Sequence, residues 1–160
     1  MKQRRYLTLL AVVLFTVTYG CTSTKSLNTP SGDPEVTISY CNPEKVKSSL
    51  IKNFREEDFH LVSASDRLME FERPIQGTRA FFYKVLTNST SAKYGSKIVI
   101  NQWNNQVTLT GQAYLVEKNA YGKKARNNIT KGKAVKQLQN LLEEAKADVV
   151  NNKTNNGQKE

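Results

Sequence analysis

The chain holds one histidine, His60, and two cysteines, Cys21 and Cys41. A catalytic histidine needs an oriented partner. The nearest acids, Glu56, Glu57 and Asp58, read instead as a charge run at the end of a helix. Glu70 and Glu72 stand two apart and so share one strand face. Paired carboxylates can do acid–base work, but on an open sheet they read as solvated. A lone histidine without a ligand-spaced cluster gives no metal site. These residue types predict a non-enzymatic protein with no cofactor. The densest chemistry is cationic: Lys118, Lys123, Lys124, Arg126, Lys131, Lys133 and Lys136, with Tyr121 interleaved and no acid between Lys118 and Lys136. Such a stretch is either a solvated loop leading into a helix or a docking patch for an anionic surface. Each Lys or Arg near an anionic membrane adds about 1 kcal/mol.

Cys21 follows a distinctive leader. Lys2, Arg4 and Arg5 precede an apolar run from Tyr6 to Tyr19, and Gly20 stands directly before the cysteine. The run is short for a bilayer span, which takes about 20 apolar residues, and reads as a secretory signal. The four residues Thr18-Tyr19-Gly20-Cys21 resemble the lipobox of bacterial lipoproteins, matching it at Gly20 and Cys21 and departing from the usual types at Thr18 and Tyr19. The resemblance implies a diacylglyceryl group on the Cys21 thiol, removal of residues 1–20 and attachment to the cell envelope. Thr22, where an Asp would mark inner-membrane retention, implies the periplasmic face of the outer membrane. The alternatives are an uncleaved single-pass anchor, or a secreted chain in which Cys21 pairs with Cys41. With Cys21 lipidated, Cys41 is left as an odd thiol, either buried as a small hydrophobe or linking two chains.

The formal charge is +10. Loss of the three leader cations leaves 21 bases against 14 acids, about +7. A basic protein on an envelope membrane points to anionic neighbours such as phospholipid headgroups, lipopolysaccharide, peptidoglycan carboxylates or a protein partner, and not to nucleic acid.

The elements that must position these residues can be read from spacing. Residues 21–41 are rich in Ser, Thr, Pro and Gly and read as a flexible tether, although Val36 to Tyr40 alternates as a short strand would. Asn42-Pro43-Glu44 is a helix start. Val46, Leu50 and Phe54 then make an apolar stripe, giving a helix over Pro43–Arg55. Phe59 to Glu72 reads as a hairpin turning at Ser65-Asp66-Arg67. The pairs Phe81/Val85 and Phe82/Leu86 favour a helix over Gly77–Leu86, although the β-rich aromatic composition also allows a strand. Asn88 to Gly95 reads as a loop. Lys97–Trp103 and Val107–Glu117 form a second hairpin around Asn104-Asn105. Val135, Leu138, Leu141, Leu142 and Ala145 mark a last helix over Gly132–Val149. Residues 150–160 read as a disordered polar tail.

The expected fold is therefore α+β: residues 42–149 form a four-stranded antiparallel sheet with helices packed on one face, in the order α-ββ-α-ββ-α. In layout alone this is similar to the small domains of some outer-membrane assembly lipoproteins. A second reading of function is a small-ligand binder using the gap between sheet and helices, which requires a sizeable apolar pocket with a few convergent polar groups.

Overall fold

The computed structural model describes residues 27–76, 89–119 and 121–156. The described residues form six strands and two helices: β1 (Glu35–Ser39), α1 (Pro43–Glu56), β2 (His60–Ala64), β3 (Leu68–Pro74), β4 (Ser89–Trp103), β5 (Gln106–Asn119), β6 (Lys124–Ile129) and α2 (Lys133–Asn156). All strand pairs are antiparallel, in the order β1-β5-β4-β3-β2, with β6 also on β5. β4 runs along the whole of one β5 edge. The other edge is divided, residues 106–110 pairing with β1 and residues 113–118 with β6.

Period-two alternation decides which face is covered. Val36 and Ile38, Met69 and Phe71, Ile98 and Ile100, and Val107 and Leu109 all point to the helices and are buried. α1 adds Val46, Leu50 and Phe54, and α2 adds Leu138, Leu141, Leu142 and Ala145 to the same core. Phe54 sits at its centre, stacked on Phe71 at 4.2 Å and edge-on to Phe59 at 5.4 Å.

Polar contacts fix the helices over this layer. The Asn42 side chain caps α1, its Oδ1 accepting from the Glu44 amide at 2.8 Å, with Pro43 at the first helical position. Between α1 and α2, Ser49 Oγ donates to Ala145 O and Asp148 Oδ2, both at 3.3 Å, and Lys52 Nζ reaches Asp148 at 3.1 Å. The Gln139 carboxamide binds both backbone groups of Glu35, accepting from its N–H at 2.8 Å and donating to its carbonyl at 3.1 Å. Ahead of β1, Leu27 packs against the core, and Gly32 N closes a turn on Thr29 O at 3.1 Å.

The expected four-stranded sheet with three helices is overturned: the described residues give a six-stranded sheet and two helices. The two extra strands have weak local signals. β1 lies inside the segment read as tether. It is only five residues long, and it is held by its ladder to β5 and by burial of Val36 and Ile38. β6 reads Lys-Ala-Arg-Asn-Asn-Ile, with no apolar alternation, and is drafted by the unfilled half of the β5 edge. The expected loop from Asn88 to Gly95 is strand from Ser89, because β5 is long enough to pair with it. α2 continues past Val149 to Asn156, into the segment read as a disordered tail. α1 and the first hairpin form close to their predicted bounds, and the second hairpin turns at Asn104-Asn105 as expected but with β4 starting at Ser89 rather than Lys97. The helix expected over Gly77–Leu86 lies outside the described residues.

Candidate functional site

The sheet face turned away from the helices carries the charged chemistry. Directly opposed residues share a face in an antiparallel pair. The ladder therefore sets Lys93, Val116 and Arg126 in one row across β4, β5 and β6, and Lys118 opposite Lys124 in the next. Together with Glu72, Ser91 and Ala125 they line a groove of about 480 Å³. Four cations meet two carboxylates there, Glu72 in the lining and Glu70 beside Arg126. Like charges directly opposite on neighbouring strands repel, and Lys118 and Lys124 form such a pair.

The groove is held in shape by its buried side. Arg126 lies 4.0 Å over the Tyr114 ring and forms a two-pronged contact with Glu70, at 3.1 and 3.3 Å. Lys93 Nζ contacts Glu72 at 3.0 Å. Glu70 and Glu72 thus share the face expected for them and serve as counter-charges that orient two of the cations. The Tyr114 ring lies flat over Gly95, where an added Cβ would collide with it. Glycine at 95 is what lets an aromatic ring lie on this face of the sheet.

Tyr114 is 1 % exposed, and its hydroxyl has no hydrogen-bond partner. Burial pushes its pKa up to about 12; Arg126 opposes this, and Glu70 and Glu72 add to it. The folded protein therefore keeps this proton where an unfolded tyrosine, titrating near pH 10, loses it. The contribution to stability is whole below about pH 10 and is lost as pH rises from about 10 towards about 12. Tyr114→Phe is expected to flatten the stability profile in that window. At neutral pH it is expected to hold or raise stability, since a buried unpaired hydroxyl costs about 1–3 kcal/mol. Denaturant unfolding of both proteins at pH 8 to 11 checks this. A loss of more than 1 kcal/mol at neutral pH would show that the hydroxyl has a partner after all.

The sequence-predicted cations do not form one patch. Lys118, Lys124 and Arg126 come together in the groove. Lys123 is exposed in the β5–β6 connection, Lys131 is exposed before α2, and Lys133 and Lys136 belong to the first turns of α2. Lys93 joins the groove from 25 residues upstream of Lys118, which only the β4–β5 register reveals. His60 is exposed on β2. Cys41 is half-buried against the core, its Sγ 3.6 Å from Ile38 O. Cys21 lies outside the described residues.

On the opposite face a cavity of about 190 Å³ opens between the first turns of α2 and the sheet. Phe59, Ala113, Ile129, Leu138 and Leu141 supply its apolar wall. A polar clasp closes its rim: Arg73 donates to Glu57 O and to Gln137 Oε1, each at 3.0 Å, and Gln137 Nε2 donates to Glu57 Oε2 at 2.7 Å. The Arg73 guanidinium also lies 4.6 Å over the Phe59 ring.

Among the described residues no group of three or more His, Cys, Asp or Glu side chains is placed to hold a metal ion. No helix among them is long and apolar enough to cross a membrane. No family model and no curated protein matches the chain.

Proposed function

We propose that the protein is a non-enzymatic envelope lipoprotein, held by lipid on Cys21 and contacting an anionic envelope component through the groove between β4 and β6. The observation that carries the binding role is the opposed Lys118–Lys124 pair, flanked by Lys93 and Arg126 in one concave site. The leader supports the location: basic residues, a short apolar run and Gly20-Cys21. Two acyl chains, at about 0.8 kcal/mol per buried methylene, suffice for stable anchoring.

Poly-glutamate is a suitable soluble polycarboxylate probe for the detergent-solubilised full chain. Binding is expected to weaken as salt rises, because the Debye length shrinks from about 10 Å at 0.1 M to about 3 Å at 1 M. Charge reversal at Lys118 and Lys124 together is expected to weaken binding at least tenfold. Reversal at Lys131 and Lys136 is expected to cost less than threefold. Equal losses from the two double variants, or binding indifferent to salt, would show that bulk charge or another surface does the work.

The cavity beneath α2 favours a second reading, small-ligand binding. An apolar protein cavity of about 150 Å³ admits benzene, so this one has room for a compact apolar group under the Arg73 clasp.

A further inference from the structure

The face that carries the groove has a second half of opposite character. Residues 98–116 contain no charged side chain. Within them the β4–β5 hairpin presents Asn101, Trp103, Asn104, Asn105 and Gln106, all exposed, while Gln102 stands opposite the core-facing Val107. Asn104 and Asn105 take positive φ, 45° and 62°, the two-residue turn that matches strand twist. Trp103 at its edge is 76 % exposed.

The ladder extends this tip into a surface. Ser39, Gln106 and Trp103 form one cross-strand row over β1, β5 and β4, and Thr37, Thr108 and Asn101 form the next. Tyr40 N donates to Asn105 O at 2.6 Å, which fixes β1 to the turn. Thr37 Oγ1 and Thr108 Oγ1 lie 3.1 Å apart. The two rows stand about 7 Å apart and each crosses three strands, about 10 Å, so a ligand can lie across them.

We infer that this neutral half of the sheet face binds an uncharged glycan chain. Carboxamides and hydroxyls each offer donors and acceptors together, which suits a ligand dense in hydroxyls. These two rows carry no charge and so offer no direct partner to phosphates, carboxylates or cations, while Glu35, opposite Thr110, begins the charged row beyond them. The indole of Trp103 supplies an apolar platform with one polar edge, on which the C–H face of a sugar ring can lie. A bilayer is the poorer occupant, because the surrounding amides would lose water with nothing to replace it. The inference needs neither lipid on Cys21 nor an anion in the groove.

Trp103 is the only tryptophan of the chain, so its emission reports on this surface alone. The full chain in a detergent without a sugar headgroup would be titrated with hexamers of N-acetylglucosamine and of glucose. The expected result is a saturable change in Trp103 emission with at least one of them, unaffected by salt and weaker with the dimers. Sedimentation with insoluble chitin or cellulose is expected to fall at least tenfold for Trp103→Ala, an exposed site whose change leaves the core intact, and less for Gln106→Ala. Emission indifferent to every oligomer, or full sedimentation of Trp103→Ala, overturns the inference. Quenching of Trp103 by brominated phospholipid vesicles free of sugar would assign the tip to a membrane and overturn it equally. Loss of the salt-dependent binding to poly-glutamate would leave it untouched.

Discussion

Replacing Phe54 by Ala is expected to lower the unfolding free energy by about 3–5 kcal/mol, the usual cost of removing a buried aromatic ring. The side chain is fully buried and touches three elements at once: its own helix, Phe71 on β3 and Phe59 at the entry to β2. No neighbouring side chain can collapse into the space without leaving its own contacts. A domain of this size has only about 5–15 kcal/mol to lose, so the variant approaches the unfolding threshold. Urea unfolding should show a lower midpoint with an unchanged slope. A loss below 1 kcal/mol would mean that α1 is not packed on the sheet as described.

Replacing Cys21 by Ser is expected to abolish lipid attachment outright. The protein should then leave the membrane fraction or keep its leader, with a mature mass that lacks the acyl groups. Gly20 and Cys21 carry this expectation, while Thr18 and Tyr19 stand where the lipobox prefers other residues. Unchanged membrane association together with an unchanged mass would remove the lipoprotein proposal and leave the groove and the neutral face to be judged on their own tests.

Local patterns revealed the elements that carry their own signal. α1 was legible because Asn42-Pro43 marks its start and Val46, Leu50 and Phe54 recur at helical spacing. β5 was legible because Val107, Leu109, Ala113 and Leu115 alternate with polar residues. β1 showed only the brief alternation of Val36 and Ile38 inside a Ser-, Thr- and Pro-rich stretch, and β6 showed none, its place being set by the vacancy along β5. The site followed the same rule. A run of cations is visible in one dimension, but its partition into groove and helix start depends on where β6 ends. Lys93, Glu70 and Glu72 enter only through register. The neutral half of the face was equally hidden, because a charge-free stretch becomes a surface only when β1 is laid beside it.

Leu27 closes on the core only six residues after Cys21. A chain spans at most about 3.6 Å per residue, so a lipid at Cys21 would keep the near side of the domain within about 22 Å of the bilayer. The domain would then move in a thin layer rather than sweep the periplasmic space. Its encounter rate with anything lying in that layer would rise as if the partner were concentrated there, while components farther out would be beyond its reach. Lengthening the segment before Leu27 with a flexible insert would widen that layer without touching a single contact of the fold.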